Sequence, residues 1–323
     1  MSYAARLARL FLLACLLASP GAFAQSYPSR NVTIIVTSNP GALTDVLSRA
    51  VGQRLSQVWG QNVVIENKPG GAYAIAATAA ATSAPDGHTL LATENGMFTI
   101  QPNLTANRQW KPADFVPVVN FARVPAALFA HPSVPVKSVS DLIALARQKP
   151  GTISYGTAGV ATAPHMAMLL FERMAGVKLT PIHYRGIPLA LNDLIGGHIN
   201  TLSMGPSIVL PAYRDGKVAM LSIGSSKRLP QLPDVPTTAE TVPSYEASVS
   251  FGLYAPAATP AATVAKINAD VQQILRDPAF QERFLHPQIL EAMAGPSAAF
   301  TRDLDAETQK WAKIIEDAKL KLD

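Results

Sequence analysis

Val32-Thr33-Ile34-Ile35-Val36-Thr37-Ser38-Asn39-Pro40-Gly41-Ala42-Leu43-Thr44-Asp45 reads as a strand handed directly to a helix. The β-branched run Val32 to Val36 is short, apolar and bounded, which suits a buried strand. Pro40-Gly41 marks the turn. Thr44 or Asp45 is placed to cap and charge the first helical turn. The helix then runs to about Trp59-Gly60. Its free N–H groups point back into the loop, which makes an anion site with no catalytic side chain in it. Any single strand-to-helix connection has this shape. The reading gains weight because the construction recurs along the chain.

Asn62 to Glu66 is a second strand, leading through Asn67-Lys68-Pro69-Gly70-Gly71 to an Ala-rich helix over Ala72–Ala81. His88 to Thr93 is a third strand, and it ends in the polar cluster Thr93-Glu94-Asn95-Gly96. Three strands, each followed by a loop and helix, predict a parallel, doubly wound sheet. Phe115 to Val124 is a long extended segment with prolines and no helical period, and Ser248 to Tyr254 matches it. Between them lies a second α/β series. Ser138-Val139-Ser140-Asp141 resembles a capping box, and Ile153-Ser154-Tyr155 is a strand. Gly156 to Thr162 is a loop of small residues, and Pro164 suits the start of the next helix, with Thr162 or Ala163 as its cap. Ile199 to Ser203 and Val218 to Ile223 are further strands. In the last helix, Phe300, Leu304, Trp311, Ile314, Ile315 and Ala318 share one face. Two crossings around an α/β block predict two lobes: residues 25–121 with 252–323 as domain 1, and 122–251 as domain 2. The cleft between them is the expected ligand site.

Composition narrows the function. The chain is apolar and sparsely charged, with 48% hydrophobic residues, which suits a globular protein and not a disordered one. Basic residues are scattered, so no nucleic-acid footprint is present. The N-terminus reads as an export signal over 1–24. Arg6 and Arg9 precede the apolar run Leu10 to Ala18, and Ala22-Phe23-Ala24 is a small-x-small cleavage site. Losing it takes Arg6 and Arg9 away and lowers the formal charge from +5 to +3. Lipid attachment at Cys15 is the weaker alternative, because Leu16-Leu17-Ala18 continues the apolar run beyond it. Cys15 is the one cysteine, so a cleaved chain has no disulfide, thiol nucleophile or Cys-based metal site.

No Gly-x-Ser-x-Gly, His-Glu-x-x-His, Walker loop or Gly-x-Gly-x-x-Gly occurs. The six histidines lack metal-ligand spacing; His165 stands apart, one turn inside a helix that follows a small-residue loop. The sequence therefore points to binding without chemistry and without a cofactor or metal. The loops at 38–45, 69–73 and 156–162 are rich in small residues that let a ligand reach backbone N–H groups, so that paired across a cleft they would hold a carboxylate.

Several segments together resemble the substrate-binding receptors of tripartite tricarboxylate transporters, the Bug-type receptors. They include Tyr27-Pro28-Ser29-Arg30, Asn39-Pro40-Gly41 with Thr44-Asp45, Val63 to Gly70, Ala84 to Leu91 and Ser138 to Lys149. Tyr155 with Gly159 and Thr162 to His165, Tyr184-Arg185-Gly186, Asp193 to Gly197 and Leu232 to Thr237 continue the match in order. The resemblance implies an α/β, two-lobed periplasmic binding protein of type II, a Venus flytrap. It would close on a small organic carboxylate as a monomer and hand it to the permease subunits of a membrane transporter. The alternative is a receptor of the same fold that signals to a sensor partner.

The chain departs from the family where ligand would sit. Ala42 replaces the second of two adjacent glycines, Ala72-Tyr73 stand where the second loop has glycines, and Ala161 replaces a glycine before Thr162. The residues read as ligand-facing are Ser38, Asn39, Gly41, Ala42 and Asp45 in the first loop. Ala72, Tyr73, Glu94, Thr157, Ala158, Ala161, Thr162, His165 and Met204 complete the set. Asp45 is read as organising its loop or holding water, since its carboxylate repels an anion. Tyr73 points either to solvent or into the cleft, and the cleft is favoured. There it would exclude bulky tricarboxylates, while Met204, where some relatives carry an aspartate, offers an ammonium group no partner. The reading predicts a small or aromatic carboxylate without a free amine.

Overall fold

The structure is a computed structural model and describes residues 27–105 and 108–321. The leader, Cys15 and the cleavage position after Ala24 lie outside the described residues.

The opening stretch folds as its sequence predicts, with strand β1 (Val32–Val36) running into helix α1 (Leu43–Trp59). Strand β2 (Val63–Asn67), helix α2 (Ala74–Ala81) and strand β3 (Thr89–Glu94) repeat the unit. The long extended segment is strand β4 (Phe115–Pro125), and strand β5 (Ala127–Ala130) follows after one residue. Helix α3 (Val139–Gln148) starts on a Ser138 cap, whose hydroxyl accepts the Asp141 N–H at 3.1 Å. Then come strand β6 (Ser154–Thr157), helix α4 (Ala163–Ala175), strand β7 (Thr180–His183), helix α5 (Ile187–Ile195), strand β8 (Thr201–Met204) and strand β9 (Ala219–Ile223). The chain returns through strand β10 (Ser248–Pro256) to helix α6 (Ala261–Leu275), strand β11 (Glu291–Ala292) and helix α7 (Ser297–Asp317).

Two sheets result. The six-stranded one has the order β11-β4-β10-β3-β1-β2, and the five-stranded one β7-β6-β8-β5-β9. Both are mixed. β1 is parallel to β2 and β3, but the returning strand β10 lies antiparallel between β3 and β4. In the second sheet β6 is parallel to β7 and β8, and β5 is antiparallel to β8 and β9. A parallel sheet alone was the expectation. The antiparallel members arise because the chain crosses between sheets and comes back.

The crossing is tight. Ala126 N–H donates to Ala247 O at 2.9 Å, Gly224 N–H to Ala126 O at 2.7 Å, and Ala247 N–H to Gly224 O at 3.0 Å. A Cβ on Gly224 would sit 2.7 Å from Ala247 O and 2.8 Å from Ala126 O, so only glycine fits between the two crossing segments.

Helix α7 adds a third tie between the lobes. Phe300 and Leu304 are buried in the cluster around Ile35, Leu91 and Tyr254 of the first sheet. Two turns on, Trp311, Ile314 and Ile315 join the cluster of Met166, Phe171 and Tyr245 in the second lobe. Arg173 of α4 pairs with Asp317 at the end of α7.

Candidate functional site

The loops beyond the carboxyl ends of β3, β6 and β8 converge on a cavity of about 390 Å³ between the lobes. Crevices at the carboxyl ends of parallel strands are where α/β sheets bind ligands. From the first lobe come Tyr73, Glu94, Asn95, Gly96, Ile100 and Gln101. From the second come Ala158, Val160 to Pro164, Ala167, Ile187, Ser203, Met204 and Gly205. The crossings give Val124, Ala126 and Ala247 to Val249, and α7 gives Trp311. Of the residues read as ligand-facing, the structure gathers Tyr73, Glu94, Ala158, Ala161, Thr162 and Met204 on this wall. Ser38, Asn39, Gly41, Ala42, Asp45, Ala72, Thr157 and His165 are not on it.

Asp45 is held within its own lobe. It is 2% exposed. Its Oδ2 accepts from Gly41 N–H at 2.9 Å and Arg49 Nε at 3.0 Å. Its Oδ1 accepts from Asn67 Nδ2 at 2.9 Å and Arg49 Nη2 at 2.9 Å. Burial alone would raise this carboxyl, but Arg49, Gly41 and Asn67 outweigh it and hold it below the usual carboxylate range. Asp45 thus organises the loop and has no acceptor capacity left for a ligand. It does not cap α1 either. The N-cap is Ala42, among the described residues no side chain caps it, and Asp45 bonds to Gly41 outside the helix. Asn39 and Gly41 are exposed; Ser38 and Ala42 are half-buried.

Tyr73 enters the cleft. Its hydroxyl donates to Glu94 Oε1 at 2.5 Å. Burial pushes the Tyr73 phenol up, and Glu94 adds to it. Glu94 is pushed up in turn by its removal from water, with the Tyr73 bond opposing. The backbone that aims the ring is unusual: Ala72 has φ 45° and Tyr73 φ 75°. The helix expected from Ala72 therefore begins at Ala74. Left-handed residues cannot extend a right-handed helix, and Ala72 is left exposed outside the cavity.

The small-residue loop is shaped from beneath. Thr157 is fully buried, and its hydroxyl accepts Gly159 N–H at 3.1 Å and lies 2.7 Å from His183 Nδ1. His165, 3% exposed, accepts the Ala161 N–H on Nδ1 at 2.9 Å. That bond fixes Ala161 at φ 59° on the cavity wall. Burial, with His183 nearby, lowers the His165 pKa to about 4, so the ring is neutral. Thr162 is the N-cap residue of α4 but does not cap with its hydroxyl, which donates to Gly159 O at 2.8 Å. Among the described residues no side chain caps α4. Pro164 has no N–H, so Ala163 and His165 carry the first-turn N–H groups that helix geometry leaves free. An anion at this end is favoured by those donors and by the helix dipole.

Asn95, Gln101, Ser203, Ser248 and Trp311 were not read as ligand-facing in the sequence. Asn95 had a signal, since it lies in the polar cluster ending β3. It accepts Ser250 N–H on Oδ1 at 3.1 Å and donates through Nδ2 to Glu307 of α7. Trp311 had none, because a helical face does not say which lobe it meets.

Comparison with known proteins places this geometry. The pattern described as "Tripartite tricarboxylate transporter family receptor" matches residues 47–320. Protein BugT of Bordetella pertussis is 31% identical over 93% of this chain and 92% of its own length. The R. palustris protein Rpa4515, solved with adipate, is 33% identical at a TM-score of 0.78, covering 91% of this chain and 99% of that one. MatC from Rhodopseudomonas palustris, solved with bound malate, is 28% identical at a TM-score of 0.73, covering 90% and 100%. With its two lobes, mixed sheets and interlobe cavity, the chain belongs to the tripartite tricarboxylate transporter receptor family.

Proposed function

We propose that this protein is a periplasmic solute-binding protein that captures a small organic carboxylate between its lobes and delivers it to a tripartite tricarboxylate-type permease. The observation that carries the reading is the uncapped start of α4 on the cavity wall, with free N–H groups and no acid of its own. The adipate and malate seen with relatives support the ligand class. The protein binds without chemistry and acts as a monomer. Export uses residues 1–24, with cleavage after Ala24. Opening and closing bends the chain at the crossings, with 25–121 plus 252–323 moving as one lobe and 122–251 as the other.

Thermal melts against a panel of mono-, di- and tricarboxylates test the ligand class. A ligand at about 100 times its Kd adds about 2.7 kcal/mol of stability. At least one acid should give a clear rise in Tm. A panel in which only neutral sugars or cations raise it sinks the carboxylate reading. Intact mass of the exported chain tests the cleavage position. Mass spectrometry of small molecules retained through native purification names the ligand.

A further inference from the structure

Glu94 stands alone on the cavity wall. Among the described residues it is the one carboxyl there, and no Lys, Arg or His side chain lines the cavity. The Tyr73 hydroxyl occupies its Oε1. Among the described residues nothing donates to Oε2, which is left for whatever fills the cavity. Around it the wall is mostly apolar, with Ile100, Val124, Val160, Val249 and Trp311. The pair is held by consecutive left-handed residues, Ala72 and Tyr73. Non-glycine residues keep that conformation only where the surroundings enforce it, and such strain clusters at ligand clamps. The Tyr73–Glu94 pair belongs to the first lobe, and the free N–H groups of α4 to the second. A ligand filling the cavity meets donors at one end and an acceptor at the other.

We propose that Glu94, aimed by Tyr73, sets the charge of the ligand: the site takes a monocarboxylate whose far end is a neutral hydrogen-bond donor, such as a hydroxyl or phenol, and rejects dicarboxylates. This rests on the carboxylate reading above and narrows it. One carboxylate goes to α4, where the free N–H groups are. A second would face Glu94 with no cation on the wall to offset it, and two carboxylates sharing a site oppose each other's ionisation. An ammonium end is less suited, because it brings three donors to the one open oxygen, Oε2, beside the apolar side chains of Ile100, Val124, Val160 and Val249. A neutral O–H needs only Oε2. Adipate and malate are both dicarboxylates, so the proposal separates this chain from those relatives.

Isothermal calorimetry on the mature chain tests it with two series matched in length. One is hexanoate, 6-hydroxyhexanoate, 6-aminohexanoate and adipate; the other is benzoate, 4-hydroxybenzoate and terephthalate. At about pH 7.5 every probe carboxyl is ionised. The hydroxy acid should bind at least about tenfold more tightly than the dicarboxylate in whichever series fits, the size of one hydrogen bond to a charged or strongly polar group. Glu94→Gln keeps an acceptor for Tyr73 and should erase most of that ratio by strengthening the dicarboxylate. A dicarboxylate equal to or tighter than the hydroxy acid, an unchanged ratio in Glu94→Gln, or 6-aminohexanoate as the tightest probe overturns the proposal and leaves the carboxylate reading standing. Binding of no acid in either series overturns this proposal, and the carboxylate reading falls with it only if the wider panel of acids also gives no rise in Tm. The ranking on unmodified protein decides the matter even if the variant does not fold.

Discussion

Protonating His165 takes away the acceptor that fixes Ala161. In the neutral ring Nδ1 receives the Ala161 N–H at 2.9 Å. A proton on Nδ1 would set two donors against each other inside a site that is 3% exposed. His183, whose ring centroid is 4.9 Å away, adds to the lowering. The folded-state pKa is therefore lowered to about 4, against about 6.5 in the unfolded chain. The unfolded state binds the proton first as pH falls. Stability from this group is thus complete above pH 6.5 and is lost progressively between about 6.5 and about 4. At about 1.4 kcal/mol per unit the gap sets an upper bound of about 3 kcal/mol. Relaxation of the loop around a charged ring keeps the expected loss below that bound, at about 2 kcal/mol. Urea unfolding of the protein and of His165→Asn between pH 7.5 and 4.5 isolates the effect. The asparagine oxygen sits near the place of Nδ1 and does not titrate. Other carboxylates titrate equally in both proteins and cancel in the difference. The advantage of the histidine protein should shrink by about 2 kcal/mol across that range. Parallel curves would refute the assignment of Nδ1 as the acceptor holding the loop.

Gly224→Ala places a methyl within 2.8 Å of two crossing carbonyls and should lower stability by about 1–3 kcal/mol, read as a fall in Tm; an unchanged melt would mean the crossings give way freely. Asp45→Ala strands the Gly41 N–H, the Asn67 amide and the Arg49 guanidinium, and should cost about 1–3 kcal/mol in denaturant unfolding. Calorimetry of Asp45→Ala at full ligand occupancy should show Kd within about threefold of the parent, because Asp45 is off the cavity wall. Ala72→Gly relieves a left-handed alanine worth about 1–2 kcal/mol against an entropic loss of about 0.5–1 kcal/mol, so differential scanning calorimetry should show a small rise in Tm.

The first three strands and their helices were legible because local signals agreed. β-branched runs, Pro-Gly turns and helical periods all mark the same boundaries in β1, α1 and β3. β5 was not legible. Ala127–Ala130 is four fully buried residues in the middle of a sheet, too short to show a period. β7 hid for the opposite reason: Thr180–His183 is an exposed edge strand containing Pro181. In the site, the small-residue loop before α4 was readable from composition. The filling of Asp45 within its own lobe was not. That outcome turns on Arg49 and Asn67, which fill Asp45 from outside the motif.

Helix α7 shows the physical limit of reading faces. Its apolar stripe predicts burial and says nothing about the partner. Phe300 and Ile315 are about 22 Å apart along the axis. The same stripe therefore starts in the core of one lobe and ends in the core of the other. Between those ends Glu307 bonds to Asn95 and Trp311 reaches the cavity wall. The ligand site is thus bounded by a helix whose two ends are anchored in different lobes. Two crossing strands alone would let the lobes bend about the Ala126–Gly224–Ala247 contact. With α7 packed into both cores, any change of interlobe angle must also slide or repack Trp311, Ile314 and Ile315 against α4. The helix that puts Trp311 on the cavity wall would therefore resist the hinge bending proposed above.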